Sequence, residues 1–355
     1  MSKRIRPATR WALLVAIAAL AASLVVAACG SSSNSSSASS SSSGSSGGAA
    51  SSGGSSSGGG KKLGLMMDVF RNDKGFGTAT FAGAQQAAKA FGLQLSVVDG
   101  LGNKPQQAVS ALNNLVRDND YVVDGASATN GILPRVAGRN PSKQFSVYAV
   151  PVAGASNLHY AFQDWYPLGY IAGVVAAKST KTGTIGFVGG GQIPPTIRGR
   201  EGYIAGAKAT KPGIKILNTI TGDFDDAVKG QNATSAQIAQ NADVIYSFLD
   251  AAHAGAVHAV KQSGKQVKLM GVIIPKCSFS QGFELGDTVA NQSQLVFDLV
   301  KGMINKSLQN TVFGVQDPKV ASFQFCPGKS SSGLKAAVTQ TLQKFNSGQL
   351  KSPKE

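Results

Sequence analysis

Histidine, cysteine and acidic residues are all scarce in this chain. Its 355 residues include three His, three Cys and 18 Asp plus Glu, against 34 Lys plus Arg. His159, His253 and His258 have no Cys or carboxylate at a spacing that completes a zinc set, so no metal centre is expected. No Gly-x-Ser-x-Gly occurs beyond the Ser/Gly-rich segment that ends at Gly60, which removes the usual nucleophile elbow of a hydrolase. Gly189, Gly190 and Gly191 lack the Lys-Ser/Thr of a P-loop and read as a tight turn that lets a ligand or another chain segment approach the backbone. Asp223, Asp225 and Asp226 crowd one loop without the remaining ligands of a calcium loop, and read as a solvated turn. No basic run is interleaved with aromatics, so the excess of positive charge does not indicate nucleic acid. No cofactor and no catalytic residue are expected: the chain reads as a binding protein and not an enzyme.

What is present begins with an address. Lys3, Arg4, Arg6 and Arg10 precede an apolar run over residues 11–28, the arrangement of a secretory signal. Val26-Ala27-Ala28-Cys29 resembles a bacterial lipobox, which implies cleavage before Cys29 and a diacylglycerol on its sulfur. The competing expectation is an uncleaved anchor, since this run of eighteen residues, apolar but for Ser23, comes close to spanning a bilayer. Both leave the folded part outside the cytoplasm. Residues 31–60 hold 18 Ser, 8 Gly, 3 Ala and 1 Asn, a composition that cannot bury enough surface to order itself. As a coil this segment spans roughly 30 Å, enough to hold a folded body away from a membrane. Without the four basic residues of the signal, thirty basic and eighteen acidic residues remain, a net charge of +12 that suits anionic lipid or wall polymer. Cys277 and Cys326 are the remaining thiols, and an exported protein sits where disulfides persist, so a bridge between them is one of two open possibilities. It would close a loop of about fifty residues, contributing about 3–4 kcal/mol on the chain-entropy account.

From residue 61 onward, apolar runs alternate with amphipathic stretches. Strands are expected at residues 63–67, 95–98, 121–123, 145–150, 158–162, 185–188, 214–220, 244–248 and 267–274. Helices are expected at 78–91, 105–116, 132–137, 168–178, 198–209, 227–239 and 254–262. Such alternation predicts α/β architecture with parallel sheets covered on both faces, and its length predicts two domains. Ligands of open parallel sheets bind at the carboxyl ends of the strands. Those ends carry Asp68, Ser127, Gly190, Asp223 to Asp225, and Ile274-Pro275.

Several motifs in sequence order resemble the basic membrane protein (PnrA-like) family of lipoprotein substrate-binding components of ABC transporters. They are Tyr170-Ile171-Ala172-Gly173 with Ala176-Ala177, Gly183-Thr184-Ile185-Gly186-Phe187-Val188-Gly189-Gly190 with Ile193-Pro194, Gly202-Tyr203-Ile204-Ala205-Gly206, Gly222-Asp223-Phe224-Asp225-Asp226, and Ser347-Gly348 before Pro353. The resemblance covers roughly residues 62–353. It implies a type I periplasmic-binding-protein fold, with two Rossmann-like lobes, a hinge and a cleft between them. It further implies a monomer that binds a small molecule, best associated with purine nucleosides, and serves an ABC permease and its ATPase. The implied lobes are residues 61–162 with about 290–306, and residues 163–289 with part of 307–353. Carried over by motif, Asp68 hydrogen-bonds ligand hydroxyls, while Phe76 and Phe224 stack on a base from the two lobes. The polar readout departs from the family: Gly77 stands where an asparagine is expected, Ile273 where an aspartate is, and Ala290 or Asn291 where a lysine is. Ser127 and Thr129 stand where a carboxylate would be, and Lys276 is near enough to the lost aspartate to supply a charge there. Trp165 and Tyr166 either line the cleft or pack the hinge. Another planar metabolite therefore fits nearly as well as a nucleoside, and a tethered sensor or surface lipoprotein on the same fold is the alternative to transport.

Overall fold

The computed structural model describes residues 60–353 other than Asn103 and residues 316–320, and Cys29 with its flanking segments lies outside the described residues. The chain starts with β1 (Lys62–Met67), α1 (Phe76–Phe91), β2 (Gln94–Val98), α2 (Pro105–Asp118), β3 (Tyr121–Gly125), α3 (Leu133–Gly138), β4 (Gln144–Tyr148) and β5 (Leu158–Gln163). It continues with α4 (Trp165–Ser179), β6 (Thr184–Gly189), α5 (Pro194–Thr210), β7 (Lys215–Ile220), α6 (Ala227–Ala239), β8 (Val244–Phe248), α7 (His253–Ser263), β9 (Lys268–Ile273) and β10 (Glu284–Ala290). Last come α8 (Gln292–Ile304), β11 (Thr311–Phe313), β12 (Ala321–Phe325) and α9 (Ser332–Asn346).

Two six-stranded sheets result, ordered β11-β5-β4-β3-β1-β2 and β12-β10-β9-β8-β6-β7. The first is parallel throughout. In the second, β12 alone runs antiparallel, along β10. Side chains alternate across a strand, and the cores follow that period. Leu63, Leu65, Met67, Tyr121 and Val123 pack one face of the first sheet, while Met66, Val122, Phe145 and Val147 pack the other. In the second sheet Phe187, Tyr246 and Val272 take one face, and Val188, Ile245 and Leu269 the opposite one. The architecture is a type I periplasmic-binding fold of two α/β lobes.

The chain passes between lobes more than once. After β5 it crosses at Asp164, whose carboxylate caps α4 by accepting the Tyr166 N–H at 3.0 Å. After β10 it returns at Asn291, which caps α8 by accepting the Gln294 N–H, and α8 packs against α1 in the first lobe. Ser352, near the end of the chain, hydrogen-bonds the Asp164 carboxylate, so the last residues tie back to the first crossing.

Helix pairing explains two of the sequence motifs. A Cβ built on Gly173 of α4 would lie 2.1 Å from the Tyr203 carbonyl oxygen of α5, and one on Gly206 would lie 2.0 Å from that of Tyr170. The two helices meet backbone to backbone, so neither position has room for a methyl group. Forcing one in costs roughly 1–3 kcal/mol. Gly173→Ala should therefore lower the melting temperature by several degrees, whereas Gly138→Ala, at an exposed site with nothing within 4 Å, should not. Equal melting temperatures for the two variants would refute the close-contact account.

Candidate functional site

The carboxyl ends of the two sheets face each other across a small cavity of about 80 Å³. Val69, Phe76 and Ala149 line it from the first lobe, and Trp165, Phe224, Phe248, Leu249, Asp250, Val272 and Ile273 from the second, with Ile193 and Pro195. A larger groove of about 870 Å³ along the crossing at Asp164 shares Ala149, Trp165 and Pro195 with it, so the two spaces adjoin.

Each aromatic is positioned by its own element. Phe76 opens α1 and packs on Tyr148 with ring centroids 5.6 Å apart. Phe224 sits in the loop after β7, and its carbonyl accepts the N–H groups of Asp250 and Ala252, both at 3.0 Å. Its ring lies on the backbone of Gly190, where a Cβ would come 2.2 Å from the ring. Trp165 and Phe248 meet edge to face at 5.1 Å. Two residues of the lining hold a backbone conformation that L side chains rarely adopt: Ala149 at φ 78° and Ile273 at φ 71°. At Ile273 the Ile274 N–H donates to the Val272 carbonyl at 2.9 Å, a γ-turn, and for a β-branched residue such a φ is strained. Strain of this kind gathers at ligand sites.

The lobes touch through the loop before α1. The Phe76 N–H donates to Asp250 Oδ1 at 3.1 Å, and a Cβ on Gly75 would fall 1.9 Å from the same oxygen. Asp73 holds this loop together by accepting the N–H groups of Gly75, Gly77 and Thr78. One carboxylate oxygen from each of Asp73, Asp225 and Asp250 lies within 4.8 Å of the other two. Facing them is Lys276, fully buried, whose ammonium reaches the Lys74 carbonyl of the first lobe at 3.4 Å.

Of the residues singled out in the sequence, Phe76, Phe224 and Ile273 come together on this cavity, and Trp165 joins them. Asp68, Gly77, Ser127 and Gly190 are not on its lining. Asp68 accepts the N–H and hydroxyl of Ser127 on Oδ2, at 2.9 and 2.6 Å, while its Oδ1 is buried with no hydrogen-bond partner among the described residues. Gly77 lies inside the Asp73 loop, where a Cβ would be 2.2 Å from the Phe70 carbonyl oxygen, so no asparagine fits this conformation. Thr129 is buried and donates to Asp124, a carboxylate at the end of β3 that burial pushes up to about 7. Tyr166 packs under the Arg198 guanidinium at 5.3 Å. Asp226 caps α6 and Asp223 stabilises its own turn, so of that acidic loop Asp225 faces the cleft. Asp250, Phe248 and Asp73 were not singled out from sequence, because their place depends on the Asp73 loop crossing from the other lobe.

Behind the lining, β10 buries Glu284 and Asp287 beside His253. Burial drives His253 down to about 3 and Glu284 up to about 7, so their 3.1 Å contact is a hydrogen bond and not an ion pair. Asp287, pushed up to about 8 by burial and by Glu284, accepts the N–H groups of Gly271 and Lys276. A disulfide joins Cys277 to Cys326, with Cα atoms 5.5 Å apart, and ties the loop after β9 to the end of β12.

Known proteins resemble this chain in sequence and in fold. The chain is similar to the ABC transporter nucleoside-binding protein BmpA of Lactococcus lactis, at 29% identity over 57% of this chain and 60% of that one. It is also similar to Basic membrane protein A of Borreliella burgdorferi, at 25% identity over 74% of this chain and 81% of that one. Among solved structures, an ABC transporter solute-binding protein from Aeropyrum pernix K1 superposes with a TM-score of 0.74 at 20% identity, covering 83% of this chain and 94% of that one. No helix among the described residues is long and apolar enough to cross a membrane. The model of the Bmp family, described as ABC transporter substrate-binding protein PnrA-like, matches residues 61–320, and the chain belongs to that family.

Proposed function

We propose that this protein is an extracytoplasmic receptor, anchored by a lipid on Cys29, that closes two lobes on a planar metabolite and presents it to the permease of an importer. The observation that carries this is the meeting of Phe76 and Phe224, one from each lobe, on a single cavity. Two rings on opposite lobes stack on a flat ligand only when the lobes close, so binding and closure are one event. Stacking contributes roughly 1–3 kcal/mol per base. A purine nucleoside is the leading ligand, supported by the nucleoside-binding relative from Lactococcus lactis. At about 80 Å³ the cavity is far below the roughly 300–1,000 Å³ of ordinary small-molecule pockets, so the lobes must part to admit the ligand.

Closure also moves protons. Burial pushes Asp250 up to about 7 from its ordinary 3.8, with Asp73 adding repulsion and Lys276 offsetting part of it. Burial raises Asp225 as well, and Asp73 and Asp223 add to the shift. Parting the lobes returns water to these groups and separates Asp73 from the other two. The closed state therefore holds protons that the open state releases. Its advantage is complete below about pH 4 and is lost as pH rises through about 7. For Asp250 alone the effect is at most about 4 kcal/mol.

Three measurements test these statements. In a thermal-shift screen, a purine nucleoside or base at 100 times its dissociation constant should stabilise the protein by about 2.7 kcal/mol. Phe224→Ala should weaken that binding about five- to 150-fold; no shift with any purine would sink the proposal. By small-angle scattering, the ligand-free protein should have a larger radius of gyration at pH 8 than at pH 5, and Asp250→Asn should flatten that difference; a radius independent of pH in the parent protein refutes proton-linked closure. Fed a labelled fatty acid, the producing cell should label the parent protein and leave Cys29→Ala unlabelled, while a parent protein that takes up no label would show an uncleaved anchor instead.

A further inference from the structure

The cavity wall constrains the charge of the ligand as well as its flatness, an inference that rests on the stacked planar ligand proposed for this site. Four aromatic rings line the cavity: Phe76, Trp165, Phe224 and Phe248. The charged side chain on that lining is Asp250, 6% exposed. Immediately behind it stand Asp73 and Asp225, an oxygen of each within 4.8 Å of one on Asp250 and of one another. Lys276 is the cation that faces this group, and its ammonium is turned to the Lys74 carbonyl. Three carboxyl groups stand against one ammonium, so the back of the cavity becomes negative when Asp250 and Asp225 give up the protons that closure makes them hold, a loss that a cation placed in the cavity favours. Aromatic faces are negative too, and attract cations placed over them. Ring faces and carboxylates therefore favour the same sign of ligand, and they do so in a buried site where such forces are least screened. A neutral nucleoside uses neither force, and an anion opposes both.

Closure points the same way. Bringing Asp73 onto Asp225 and Asp250 costs repulsion that Lys276 offsets only in part. A positive charge delivered with the ligand removes the rest, so such a ligand drives the lobes together.

We propose that the cavity selects a planar organic cation, with Asp250 as the specificity-determining residue. The ligand is a heteroaromatic ring with a delocalised positive charge, stacked between Phe76 and Phe224 and turned toward the Asp250 carboxylate.

The test is calorimetric titration of the purified full-length protein with compounds matched in shape and different in charge. The first set is the cation 1-methylnicotinamide, neutral nicotinamide and anionic nicotinate; the second is cationic 1-methyladenosine against adenosine. The cation should bind at least tenfold more tightly than its neutral counterpart, and nicotinate should not bind. Asp250→Asn keeps an oxygen for the Phe76 N–H and should shrink the cation-to-neutral ratio below threefold. Asp225→Asn, which keeps an acceptor for the Ala251 N–H, should shrink it in the same direction and serves if the first variant does not fold. Adenosine binding as tightly as 1-methyladenosine would overturn the charge preference while leaving the stacked ligand standing. So would a ratio unchanged in the variants. Failure of all five compounds would overturn both.

Discussion

The site depends on one contact, the 3.1 Å hydrogen bond from the Phe76 N–H to Asp250 across the cleft. It forms only because Gly75 has no side chain, since a Cβ there would collide with the same carboxylate. That approach sets the height of the cavity and turns Phe76 toward the second lobe. It also buries Asp250. Burying a carboxylate is costly without partners, and here it has one backbone donor and a nearby ammonium against two further carboxylates. The closed arrangement thus holds an electrostatic tension that protons or a ligand relieve, and a hinge protein can use such tension to couple occupancy to shape.

The second lobe needs a firm base for that contact. Asp287 fixes the backbone of Gly271 and Lys276, while His253, Ser247 and Glu284 form a buried hydrogen-bonded set beside it. The disulfide holds the loop after β9 against β12, so Lys276 is placed by a covalent link on one side and a carboxylate on the other. A rigid polar layer beneath an apolar lining lets the cavity wall keep its strained backbone at Ile273.

Much of this was legible in the sequence, and the failures have physical causes. The alternation of apolar runs and amphipathic stretches located the elements through β9, because strands such as β6 and β8 are buried along their whole length and read as continuous apolar runs. It gave no element beyond residue 274. Strand β10 buries Glu284 and Asp287, so it carries the polarity of a loop in the position of a core strand. Motif resemblance placed Phe76, Phe224 and Ile273, whose loops are local to their own lobes. Asp250 escaped because its role arises from a contact 174 residues away in sequence, which no local pattern encodes.

The backbone contact between α4 and α5 has a consequence for how such proteins diverge. Gly173 and Gly206 answer to helix packing and not to any ligand, and a substitution at either costs the fold itself. Residues around the cavity answer to whatever molecule is carried. The two sets do not overlap: a substitution on the cavity wall leaves the α4–α5 contact untouched, and one at Gly173 or Gly206 strains the second lobe before it reaches any ligand.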